Sequence, residues 1–180
     1  MKLLQQLWEL AKREGNKRNK SPSSTFVDLG LWLGDITKLD NADYWCTPKN
    51  STTFAGTGGD GVHFGLLHMD GKIMDTSPVV MTVPMMFDRP NIIVGKDLLE
   101  FLCLGYDVGY FILEQLAYYD GRQEIIEQIK DHQSQMDDEE QELLQILRGE
   151  FHLKPWTNVG VRLNELHQQY HHLLQLKEDS

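Results

Sequence analysis

The stretch Phe54-Ala-Gly-Thr-Gly-Gly-Asp-Gly-Val-His-Phe-Gly-Leu-Leu67 places four glycines within the six residues 56–61, between two segments of β character. Thr52, Thr53 and Phe54 suit a strand on one side and 62–69 suits another on the other side, so the glycines predict a tight turn between two strands. Working outward, Asp70-Gly71 supplies the positive φ that a type I′ hairpin turn needs. Further strands are predicted at 79–83, bounded by Pro78 and Pro84, and at 91–94. Together they describe a mostly antiparallel sheet.

Helices flank this sheet. Leu3, Leu4, Leu7, Trp8 and Ala11 recur at spacings of three and four, predicting an amphipathic helix over 1–15 that ends near Gly15. The basic stretch 16–24, containing Pro22, reads as a mobile connector. The segments 26–36 and 44–46 are aromatic and aliphatic but are interrupted by Gly30, Gly34 and Asn41, and no period emerges. Asp97 stands three residues before Glu100 and opens an apolar run that Gly105 closes, the pattern of a capped helix. A second helix is predicted over 109–119, ahead of Asp120-Gly121. Residues 123–180 carry three amphipathic patterns: Ile125, Ile126 and Ile129; then Leu143, Leu144, Ile146 and Leu147; then Leu163, Leu166, Tyr170, Leu173 and Leu174. Pro155 and Gly160 set the last one apart, so residues after 155 are either core or a docking arm. The expected fold is α+β over 1–180 as a single domain, with the sheet-and-helix core at 51–119 and a helical C-terminal region.

The 180 residues are 41% hydrophobic, enough for a proper core without a disulfide or metal. Cys46 and Cys103 lack the paired spacing of a zinc or redox motif and read as reduced thiols in a cytoplasmic protein. The apolar-then-basic order of 1–20 reverses that of a signal peptide, and no apolar run approaches a membrane span. A formal net charge of −10 argues against nucleic acid as a partner and favours a cationic one.

The glycine-rich segment invites a phosphate-cradle reading. A P-loop requires a following Lys-Ser/Thr and a helix, whereas a strand is predicted here, so a structural turn is expected. Asp60 is spaced to orient the imidazole of His63, which opens a second reading as a small hydrolase or metal-dependent enzyme. His63 and His68 differ by an odd number and point to opposite faces of one strand. His167 and His171, four apart with His172 alongside, share a helix face but supply only two ligands in register. No catalytic residue, metal ligand or cofactor is therefore assigned. The acidic run 136–142 suits the N-terminus of its helix and is also available as a binding surface. Trp32, Tyr44 and Trp45 fall in irregular segments where aromatics either pack a core or anchor an interface. With Gly58, Gly59, Asp60 and His63 they form the candidate binding set.

The order of Thr53-Phe-Ala-Gly-Thr-Gly-Gly-Asp-Gly-Val-His-Phe64, Ser77-Pro-Val-Val80 and Ile92-Ile-Val-Gly-Lys-Asp-Leu-Leu-Glu-Phe-Leu102 resembles the SUKH superfamily. That group contains fungal cell-wall-synthesis regulators, the bacterial Syd protein and many bacterial toxin-immunity proteins. The resemblance covers residues 44–119, and the Leu-Pro and Asn-Gly-Gly signature that many members carry near their first helix is missing. It implies an α+β fold without catalytic residues and a role in binding another protein, in the immunity members a toxin. The leading expectation is a non-enzymatic protein-binding module that blocks a basic toxin domain. The alternatives are the enzyme built on Asp60 and His63, and an assembly protein forming a homo-oligomer through its C-terminal helix.

Overall fold

Alternation of large apolar residues along short β-branched runs produces one five-stranded sheet, described in a computed structural model over residues 1–118 and 136–177. Strands β1 (Trp32–Leu33), β2 (Ser51–Gly56), β3 (His63–Leu67), β4 (Val79–Thr82) and β5 (Asn91–Gly95) lie side by side in chain order, each antiparallel to the next. The chain is α+β. Its sheet is a meander in which every connection is local, so each strand's register is set by its own turn. β2 and β3 are joined through the glycine-rich loop, and a bulge shifts the register between Thr53 and Ala55. The Asp70-Gly71 turn forms as predicted, with φ of 51° and 73°, but it closes only the isolated bridge between Met69 and Lys72. It lies within the β3–β4 connection and does not join the strands directly.

The period of two sorts the side chains onto two faces. Phe54, Phe64, Leu66, Val79, Met81 and Val94 face the larger core, where they meet helix α1 (Lys2–Arg18), helix α2 (Leu98–Leu104) and helix α4 (Asp138–Phe151). Phe101 of α2 lies at its centre, its ring tilted against Phe64 and Tyr110 and edge-on to Phe54. Asp97 caps α2 through the Glu100 amide at 2.8 Å, as the spacing predicted. The Glu100 carboxylate accepts from the Lys96 amide and pairs with Arg162, so the reciprocal half of the box is moved by one residue.

Leu67, Val80 and Ile93 face the other side, where Leu166 of helix α5 (Val159–Tyr170) packs on them. The segment after 155 therefore lies on the sheet. Trp156 donates its indole N–H to the Glu100 carbonyl, and the turn after α5 is tied to β2's entry by Asn50 donating to the Leu173 carbonyl. Leu166 is fully buried, on a helix that also buries Leu163. Leu166→Ala should cost about 2–5 kcal/mol. Urea denaturation checks this; a loss under about 0.5 kcal/mol would mean that α5 is not part of the cooperative fold.

Three expectations are corrected. α1 does not stop near Gly15: it continues to Arg18 and ends at Asn19 in the left-handed region. Gly15 is instead a point of close approach, since a Cβ there would lie 2.5 Å from Thr25 Oγ1 and 2.7 Å from the Lys20 carbonyl. The 109–119 helix is shorter and tighter, a 3₁₀ turn at Phe111–Glu114 running into α3 (Gln115–Tyr118), because the Tyr110 amide donates to Leu29 O rather than along a helix. The basic stretch 16–24 and the acidic run 136–142 are partners of each other: Arg18 pairs with Glu142 and Lys20 with Glu139, each at 2.9 Å. Within that acidic run Asp137 and Glu140 form a capping box for α4. The helix predicted around Ile125, Ile126 and Ile129, and the Asp120-Gly121 signal, lie outside the described residues. Cys46 and Cys103 are free thiols. No helix among the described residues is long and apolar enough to cross a membrane.

Candidate functional site

At one end of the sheet a row of polar residues crosses the strands. Register pairs Gly56 with His63, His63 with Thr82, and Thr82 with Asn91, and the last three are buried. Buried polar groups need partners, and here the partners belong to the loop at 44–47. Thr82 Oγ1 donates to Asn91 Oδ1 at 2.7 Å, which leaves the Asn91 amide to donate to the Cys46 carbonyl at 2.9 Å. His63 Nδ1 lies 2.7 Å from the Gly61 carbonyl and Nε2 lies 3.1 Å from Thr47 Oγ1. A carbonyl only accepts, so Nδ1 carries the proton and Nε2 accepts from the Thr47 hydroxyl. The row fixes both the glycine-rich loop and the 44–47 loop from below.

These anchors present aromatic rings to solvent. The Tyr44 ring stacks on His63 at 5.5 Å and lies against Gly61, where a Cβ would meet it at 2.5 Å. Trp45 stacks on Phe87 at 6.1 Å with 15° between the planes. On the other flank Gly58 lies against Trp32 and Gly59 against Phe111. Gly58 and Gly61 hold φ of 87° and 72°, a conformation that suits glycine, and Asp60 between them holds 49°. Exposure is high: Phe87 74%, Trp32 53%, Trp45 48%, Phe111 48% and Tyr44 39%. A shallow groove of about 270 Å³ runs beside Trp32 along β1 and β2.

The structure thus gathers Trp32, Tyr44, Trp45, Gly58, Gly59, Asp60 and His63 around one loop. It does not couple Asp60 to His63, whose two ring nitrogens are already engaged by Gly61 and Thr47. The Glu114 carboxyl is pushed up by burial and by the charge of Asp60. His68 bonds instead with Thr52 Oγ1 at 2.9 Å, apart from His63. The His167 and His171 rings meet at 4.2 Å, tilted by 36°, and among the described residues no three His, Cys, Asp or Glu side chains converge as metal ligands. Phe87 and Phe111 are additions that sequence reasoning missed. Phe87 carried a signal: it stands with Met85 and Met86 in a connection bounded by Pro84 and Pro90, where polar residues are expected.

Burial pulls the His63 imidazole below its ordinary value, opposed in part by the Gly61 carbonyl. The folded chain holds this ring neutral, whereas the unfolded chain protonates it near pH 6.5. Its contribution is therefore complete above about pH 6.5 and declines as the pH falls below that, until the folded-state ring itself titrates. Urea midpoints of the protein and of His63→Gln at pH 8 and pH 5.5 measure it. The difference between the two proteins should narrow at the lower pH; a constant difference would show that the ring is not held neutral.

No family model matches the chain, and neither does any curated protein or solved structure.

Proposed function

We propose that this chain is a non-catalytic protein-binding module that docks a basic protein partner on the aromatic surface around the glycine-rich loop. The observation that carries the reading is the exposure of five large aromatic rings, Tyr44 and Trp45 on a loop whose polar anchors are satisfied and Trp32, Phe87 and Phe111 on other elements of the same chain. Exposed aromatics held rigidly in place are the anchors of interfaces, because they bury much area at little entropic cost. A net charge of −10 steers a cationic partner toward it. The SUKH-like order of strands and helix supports the narrower reading, an immunity protein that covers a basic toxin domain in the cytoplasm. The enzyme reading lacks its carboxylate–imidazole pair, and the assembly reading lacks a free helix, since α5 is packed on the sheet.

The test is copurification of the tagged chain with the product of the gene encoded beside its own. A basic toxin that copurifies and whose activity is suppressed in the mixture is the expected outcome. A neighbouring toxin that remains unbound and fully active would refute the immunity role.

A further inference from the structure

We propose that the Trp32–Phe111 side of this surface seats an arginine or lysine side chain of the partner, between the Asp60 and Glu114 carboxylates and against the Phe111 and Tyr118 rings. This rests on the docking reading above and specifies its chemistry. Phe111 and Glu114 stand three apart in a 3₁₀ turn, where such side chains eclipse, and Tyr118 follows Glu114 by four in the helical turn beyond. The three share one face. The glycine-rich loop reaches that face directly, since a Cβ on Gly59 would touch the Phe111 ring at 3.7 Å, and Asp60 is the next residue.

Charge selects the occupant. Burial and the Asp60 charge push the Glu114 carboxyl up, and burial together with the Glu114 and Asp60 charges raises the Tyr118 hydroxyl. Among the described residues no lysine or arginine pairs with either, whereas Asp28 pairs with Lys20 at 2.9 Å. Two carboxylates next to exposed aromatic faces match a guanidinium, which accepts both an ion pair and a ring face. The same carboxylates repel phosphate, so nucleic acid and anionic lipid do not fit.

The probe is a peptide of alternating glycine and arginine, with a citrulline counterpart of the same shape and no charge, each titrated into the full chain by ¹H–¹⁵N NMR. The Gly58, Gly59 and Gly61 amides and the Trp32 indole should shift with the arginine peptide and stay still with citrulline. Asp60→Asn combined with Glu114→Gln, two isosteric changes at an exposed and a half-buried side chain, should weaken the arginine peptide at least tenfold while the amide spectrum stays dispersed. Equal shifts with citrulline, shifts confined to 136–142, or unchanged binding by the double variant would overturn the seat. The two readings fail separately. A neighbour-encoded partner that binds the double variant as tightly as the parent removes the cation seat and leaves the docking surface standing. A partner that binds the parent but not the double variant supports both.

Discussion

Gly30→Ala should lower the melting temperature by about 10 °C or more and dislodge Phe111 from the aromatic surface. Gly30 ends a 3₁₀ turn at Val27–Leu29 with φ of 78°, and a Cβ on it would lie 2.1 Å from the Phe111 nitrogen and 2.5 Å from its Cα. Those are backbone atoms and cannot swing aside. They are fixed by the Tyr110 amide donating to Leu29 O at 2.6 Å, immediately before the contact. The alanine therefore adds about 1–2 kcal/mol of left-handed strain and forces the two segments apart. Separation costs about 1–3 kcal/mol in overpacking and a similar amount in the broken buried hydrogen bond. For a chain of this length each kcal/mol is worth about 2–4 °C. Calorimetry decides it, and a change of under 2 °C would mean that the 29–30 and 109–111 segments are not in contact.

That contact explains why the fold was more legible than the site. The sheet could be read because its determinants are local: alternating apolar residues, the Asp70-Gly71 turn, and the glycines between Phe54 and Val62 each act over a few residues. The Asp97 cap is equally local. Helix limits were less readable where tertiary contacts set them. Gly15 looks like a terminator, yet it is the point where Thr25 presses on α1. The basic stretch 16–24 read as a mobile connector and the acidic run 136–142 as a helix N-terminus or a binding surface, whereas their pairing joins residues more than a hundred positions apart.

The candidate site was half visible for the same reason. Trp32, Tyr44 and Trp45 stood out as aromatics in irregular segments. Nothing local says that Thr82 and Asn91, polar residues in aliphatic runs, fasten the 44–47 loop through the Cys46 carbonyl. The partnership of Asp60 was read toward His63, three residues away, because sequence spacing favours near neighbours. The structure instead brings the adjacent Gly59 against Phe111, and the Asp60 charge acts on Glu114 of the same turn.

The second large effect concerns binding. Trp45→Ala combined with Phe87→Ala should reduce partner affinity by at least about 2 kcal/mol, about 30-fold, because buried aromatic anchors dominate interface energy. Stability should stay within about 0.5 kcal/mol, since both rings are exposed and stack on each other. Stability loss with unchanged binding would invert the assignment and make the stacked pair a structural clasp.

The measurement that bears most directly on the aromatic surface is a comparison of host lysate passed over the immobilised parent chain and over the Trp45→Ala, Phe87→Ala variant. Parallel circular dichroism establishes that both are folded. A basic protein retained by the parent and at least tenfold depleted on the variant is the predicted result. The same proteins retained equally by both would contradict the account.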